Sequence, residues 1–95
     1  MPAYVIVDAV VTDPVQYEAY KRLSGPSIEA YGGRFVARGG AVATLEGDWN
    51  PSRIVIASFP DIATARAWYD GPEYTAARKE RDNAARFRMI VVEGI

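Results

Sequence analysis

The chain has no histidine and no cysteine among its 95 residues. The missing histidine removes the commonest general base, His-containing triads, imidazole metal sites and a proximal haem ligand together. Missing cysteine excludes disulfide stabilisation and leaves the redox compartment unconstrained. An excess of one charge is lacking too: 11 Lys+Arg stand against 12 Asp+Glu, a formal net charge of -1. Without a basic stripe to track phosphates, the composition argues against a nucleic-acid partner. The N-terminal apolar run is far shorter than a membrane span, is interrupted by Asp8, and has neither a basic region nor a cleavage site. A soluble, cytoplasmic protein with no membrane partner is expected.

Apolar material is what the chain has in plenty: 49% of residues are hydrophobic and 12% aromatic. A chain this short forms one domain over residues 1–95 and buries only somewhat more than ~60% of its unfolded surface. The surplus predicts a subunit interface or a ligand cavity, and a homodimer is the simplest outlet.

Tyr4–Val11 is β-rich and almost continuously apolar, as a central strand is; Tyr4, Ile6, Asp8 and Val10 share one face. Asp13 is the N-cap of a first helix, with Pro14 at its first position and Gln16 three residues on. Tyr17, Tyr20, Leu23 and Ile28 form the expected inner stripe. Ser24-Gly25-Pro26 predicts a bend or break, and Gly32-Gly33 a stop. Arg34–Arg38 alternates as a strand, placing Arg34, Val36 and Arg38 on one face. Gly39-Gly40 allows a bulge, and Ala41–Glu46 is expected to continue the strand. After the loop Gly47–Ser52, a strand returns over Arg53–Phe59. Asp61 caps a helix with Ile62, Ala65, Trp68 and Tyr69 on its apolar side, Gly71-Pro72 restarts a helical segment, and Phe87–Glu93 is the last strand.

The order β-α-β-β-α-β predicts an α+β, ferredoxin-like fold: a four-stranded antiparallel sheet with helices on one face. The other face is left bare, and pairing two sheets face to face would cover it.

Several segments resemble the bacterial domain of unknown function 1330 family: Tyr31-Gly-Gly-Arg34, Arg38-Gly-Gly40, Leu45-Glu-Gly-Asp-Trp49, Arg53, Phe59-Pro60, Ala67-Trp-Tyr-Asp-Gly-Pro-Glu-Tyr74 and Val92-Glu-Gly94. The likeness spans essentially the whole chain. It implies a ferredoxin-like subunit of the dimeric α+β barrel superfamily, whose two sheets enclose a central cavity. It implies no reaction; superfamily relatives include cofactor-free monooxygenases, small-ring isomerases, haem enzymes and amino-acid-sensing domains. Two positions depart from the family pattern: Ser58 stands where Glu is commoner, and Gly71 where a Ser cap is.

Trp68, Tyr69, Glu73, Tyr74 and Arg78 are the densest candidate site, an aromatic wall with an acid and a base. The alternative is that the aromatics are core and Glu73 complements the helix dipole. Arg34, Arg38 and Arg53 form a second group, with Asp8 and Glu46 as possible counter-charges. Inward-facing they would make an anion-binding floor; otherwise they are structural ion pairs. Trp49 in its polar loop reads as a lid or as an anchor in a partner subunit, with Arg53 and Val55 as further interface candidates. Tyr20 can show its hydroxyl to a cavity. No motif calls for a cofactor, and no oxygen-ligand loop calls for a metal. The leading expectation is a small-molecule ligand, anionic or aromatic, held between sheet and helices. A cofactor-free enzyme with Asp8, Glu46 or Glu73 as base, and a structural dimer without ligand, are the alternatives.

Overall fold

The computed structural model covers Met1–Ile95. The strands are β1 (Ala3–Val11), β2 (Arg34–Arg38), β3 (Arg53–Phe59) and β4 (Ala85–Glu93). They form one antiparallel sheet in the order β2-β3-β1-β4. This is the ferredoxin-like arrangement, with α1 (Pro14–Ala30), α2 (Ile62–Asp70) and α3 (Pro72–Arg81) as its helices. No helix is long and apolar enough to cross a membrane.

The two caps read from the sequence are made: Asp13 accepts from the Gln16 amide at 3.1 Å and Asp61 from the Thr64 amide at 2.7 Å. β1 is central and alternates strictly. Ala3, Val5, Val7 and Ala9 are buried under the helices with Phe59, Ala57, Trp68 and Tyr74. Gly33 lets the chain enter β2 against that core, since a Cβ there would sit 2.7 Å from the Phe59 ring and 2.8 Å from Ile28.

Two expected elements differ. The Ser24-Gly25-Pro26 break does not occur, and α1 runs through Pro26. Pro26 deprives the Arg22 carbonyl of its helical donor, and the neighbouring carbonyls carry side-chain bonds: Ser27 Oγ donates to the Ser24 carbonyl at 2.6 Å, and Arg38 Nη2 to the Lys21 carbonyl at 3.2 Å. An unbroken helix also shifts the inner stripe, so Ser24 and Ser27 are buried and Leu23 is exposed. The second difference is Ala41–Glu46, which is no strand, because no neighbouring strand within the protomer lies beside it. It belongs instead to an exposed loop folded back over the open sheet face, closed by Thr44 Oγ1 donating to the Trp49 carbonyl at 2.7 Å.

A bulge sets the chemistry. Phe35 pairs with Ala57, but Ala37 pairs with Ile56, so Val36 is extra. One inserted residue reverses the faces beyond it. Arg34, opposite Ser58, therefore lies on the open face, whereas Arg38, opposite Val55, turns to the helix side with Phe35. The two arginines expected to share a face are split. Val55 pairs with Val7 and packs on the covered core, so it is not a bare-face residue; the open-face positions of β3 are Ile54, Ile56 and Ser58.

Candidate functional site

Between α1 and the sheet, with lining from all four strands, lies a small, partly open cleft of about 20 Å³, room for roughly one water. Its walls are aromatic: Tyr17, Tyr20, Phe35 and Phe87 all line it. Tyr17 stacks on Tyr20 at 5.2 Å, and Phe87 meets Tyr20 edge-on at 5.5 Å. These residues meet because Tyr17 and Tyr20 are one helical turn apart, while Phe87 pairs with the helix-facing Ala9.

Three guanidinium groups rest on this aromatic cluster. Arg38 lies 4.1 Å over the Phe35 ring, Arg53 5.5 Å over Tyr17, and Arg81 4.3 Å over Phe87. None is paired with a carboxylate; the ion pairs of the chain are Lys21–Glu18 and Arg88–Asp8. Arg53 Nε and Arg81 Nε are buried with no hydrogen-bond partner. Arg38 lines the cleft and reaches the Lys21 carbonyl, passing close to Gly25.

Tyr20 also reaches into the core behind the cleft, where its hydroxyl is 2.8 Å from that of Tyr74 and both are buried. Desolvation pushes both pKa values up, that of Tyr20 further because the Tyr74 hydroxyl also faces it. Both stay protonated, as donors rather than bases. Tyr74 is fully buried and its ring lies 4.1 Å from Trp68, whose Nε1 donates to Ser27 Oγ at 3.0 Å. Trp68 and Tyr74 are thus core side chains, with one polar end each tied to α1.

Tyr69 and Arg78 pack outward from these two, the Tyr69 ring 6.2 Å from Trp68 and 5.7 Å from Tyr74, whereas Glu73 turns away to Tyr31. Glu73 accepts from the Tyr31 hydroxyl at 2.9 Å, which raises the pKa of the phenol. Tyr69 is exposed, with the Arg78 guanidinium 4.6 Å over its ring. Gly71 is explained by the same corner, since a Cβ there would strike the Tyr31 hydroxyl.

Asp8 stands on the other side of the sheet. It is bound by Arg88 Nη2 at 2.5 Å and by Trp49 Nε1 at 3.1 Å, not by Arg34 or Arg38. Those two hydrogen bonds, Arg88 first, hold its carboxyl below the usual range. Arg88 is its cross-strand neighbour on β4, a pairing that follows from register alone. Around it the open face carries Tyr4, Ile6, Ile54, Ile56, Ile90 and Val92, with Ile90 still 63% exposed. No three carboxylates come together to hold a metal ion.

The model of the family described as Domain of unknown function (DUF1330) matches residues 2–95. The chain belongs to this family. Among solved structures, RPA0582, a protein of unknown function from Rhodopseudomonas palustris, superposes with a TM-score of 0.75 at 28% identity, covering 99% of this chain and 82% of that one. SnoaB, a cofactor-independent oxygenase from Streptomyces nogalater, gives a TM-score of 0.70 at 15% identity over 99% of this chain and 93% of that one. A dimeric ferredoxin-like protein of unknown function from Thermobifida fusca gives 0.60 at 18%, covering 99% and 92%. At these two lower identities the likeness extends to the fold alone. No curated protein matches the sequence. Within the DUF1330 pattern, the Ser58 departure falls on the open face opposite Arg34 and Tyr4, away from the cleft.

Sequence reasoning placed Arg38, Arg53 and Tyr20 among the candidates but passed over Phe35, Phe87 and Arg81 as site residues. Each carried one local signal, an aromatic or a cation on an amphipathic element. Their meeting depends on strand order and register.

Proposed function

We propose that this DUF1330 protein is a homodimer that binds a small anionic or aromatic molecule in the cleft between α1 and the sheet of each protomer. The observation that carries this reading is Arg53: a buried guanidinium Nε without an acceptor, among aromatic rings, with no carboxylate beside it. A buried donor left unpaired costs about 1–3 kcal/mol. The ring contact at 5.5 Å is near the outer limit of a cation–π interaction worth ~0.5–2 kcal/mol, and does not offset that cost fully. A carboxylate in the cleft would satisfy the fork and let the rings cover the ligand's apolar part.

Entry requires widening. One side chain of the lining, Arg38, is exposed and holds the Lys21 carbonyl by a single bond of 3.2 Å, a link worth on the order of 1 kcal/mol. Swinging it outward costs little, and it then adds a second guanidinium to the anion. A base for catalysis is not at hand: Asp8 and Glu46 belong to the open-face side and Glu73 to the outer surface, so binding is the better-supported activity. The homodimer rests on the six apolar open-face side chains and on the dimeric state of the Thermobifida fusca protein of the same fold.

Calorimetric titration with benzoate tests the cleft. Arg53→Met, which removes the guanidinium but keeps an unbranched apolar side chain, should weaken binding at least tenfold. Equal affinity in both proteins would refute the assignment.

A further inference from the structure

Two unsatisfied features of the fold match each other. Ala41–Glu46 alternates like a strand, yet it forms no backbone–backbone hydrogen bond within the protomer, and all six residues are exposed, Leu45 to 96%. The edges of the sheet, meanwhile, are unequal. β2 is five residues long and bulged at Val36, two devices that blunt an edge. β4 is nine residues long and keeps unbroken register with β1, so the other side of its backbone is free along its whole length. Its segment Met89-Ile-Val-Val92 carries no charge. Beside that segment, against α2, runs an apolar groove of about 350 Å³ whose walls include Met89, Val91, Ala65 and Trp68. A free apolar edge next to an unfilled groove is a template for another strand. The protomer's own Ala41–Glu46 is not that strand: it lies over Ile6, Ile54 and Ile56, with β1 and β4 between β3 and the free edge.

We propose that Ala41–Glu46 of one copy adds as a fifth, antiparallel strand to the β4 edge of a second copy, and the reverse, so that each groove is filled only by the other chain. This rests on the homodimer proposed above and not on the cleft. The register follows from alternation and charge. Ala43 and Leu45 share one face of the segment, and Val42, Thr44 and Glu46 the other. On β4, Met89 and Val91 face the helices, while Arg88, Ile90 and Val92, opposite Asp8, Ile6 and Tyr4, face the open side. Leu45 beside Met89 enters the groove, with Ala43 beside Val91. The antiparallel count then sets Glu46 beside Arg88, Thr44 beside Ile90 and Val42 beside Val92. Glu46 has no ion pair within the protomer, and Arg88, held by Asp8 through Nη2, keeps other donors free. Run parallel, the same Leu45–Met89 contact would set Glu46 against Ile90 and leave Arg88 beside Thr44.

The chain has no cysteine, so introduced thiols report single contacts. Thr44→Cys/Ile90→Cys and Ala43→Cys/Val91→Cys each put two thiols on facing residues, whose Cα atoms lie ~4.5–5.5 Å apart in an antiparallel pair, within disulfide reach. Thr44→Cys/Arg86→Cys, four residues off register, separates them by more than ~13 Å. After mild oxidation, most of either matched variant should run as a covalent dimer on a non-reducing gel, and the mismatched one as monomer. Leu45→Lys should raise the dimer dissociation constant at least tenfold in sedimentation velocity. Its circular dichroism spectrum should be unchanged, because the side chain is in water within the protomer. Cross-links within one chain, or equal cross-linking of the mismatched variant, would overturn the strand exchange. So would a wild-type dimer that neither matched pair links and that Leu45→Lys leaves intact; the homodimer itself would then stand. A wild type that is monomeric at micromolar concentration overturns both.

Discussion

Replacing either member of the Tyr20–Tyr74 pair by phenylalanine removes one oxygen and strands the other. The two hydroxyls are 2.8 Å apart, and their residues are 7% and 0% exposed. No other partner bonds to either oxygen, so Tyr20→Phe leaves the Tyr74 hydroxyl buried and empty-handed, and Tyr74→Phe does the reverse. The expected cost is about 1–3 kcal/mol for each single substitution. In a domain of this size each kcal/mol lowers Tm by roughly 4–8 °C. The double variant strands nothing, and its ring shapes are unchanged. It should cost no more than one single variant, giving a coupling of about 1 kcal/mol or more between the sites. Urea unfolding followed by far-UV circular dichroism, at one fixed protomer concentration, measures all four proteins; the fixed concentration matters because a dimer's stability depends on it. If each single variant stays within about 0.5 kcal/mol of the wild type, the hydroxyls are wet and the buried pair is wrong. Additive losses would equally refute the pairing.

Two further perturbations probe the open face. Asp8→Asn should loosen the Trp49 loop at every pH, seen as faster chymotryptic cleavage in the segment 45–49 and a shift in Trp49 emission, with buried Trp68 as a constant background. In the wild type, hydrogen bonds from Arg88 and Trp49 place the folded carboxyl below the unfolded value of about 3.9. The stabilisation is therefore complete above that value and is lost as pH falls through the depressed one. Emission that changes between pH 8 and 5, or stays flat down to pH 2, contradicts this. Ile56→Asp places a charge in the middle of the apolar open face and should convert the proposed homodimer to monomer by sedimentation velocity at micromolar concentration; Val55→Asp should instead unfold the core. An unchanged dimer in Ile56→Asp argues for another interface.

What was legible in the chain itself was local. The caps at Asp13 and Asp61 depend on three-residue spacings, and the alternation of β1 on its own side chains, so both could be read directly. The element order and the DUF1330 motifs led to the four-stranded sheet and to an uncovered face. Proline at position 26 misled because the local preference for a break is overridden by tertiary packing, which buries Tyr17, Tyr20, Ser24, Ser27 and Ile28 along one continuous face of α1. Ala41–Glu46 has strand-like alternation, yet a strand exists only when a neighbour takes its hydrogen bonds. Most consequential is the Val36 bulge. Counting by twos assigned Arg34 and Arg38 to one face, and a single extra residue separated them by the thickness of the sheet. Residue types and periodicity therefore determined which elements form. Register, the bulge and the crossing of α1 over the sheet decided which cations and rings share a space, because those contacts join residues up to 70 positions apart that no local interaction brings together.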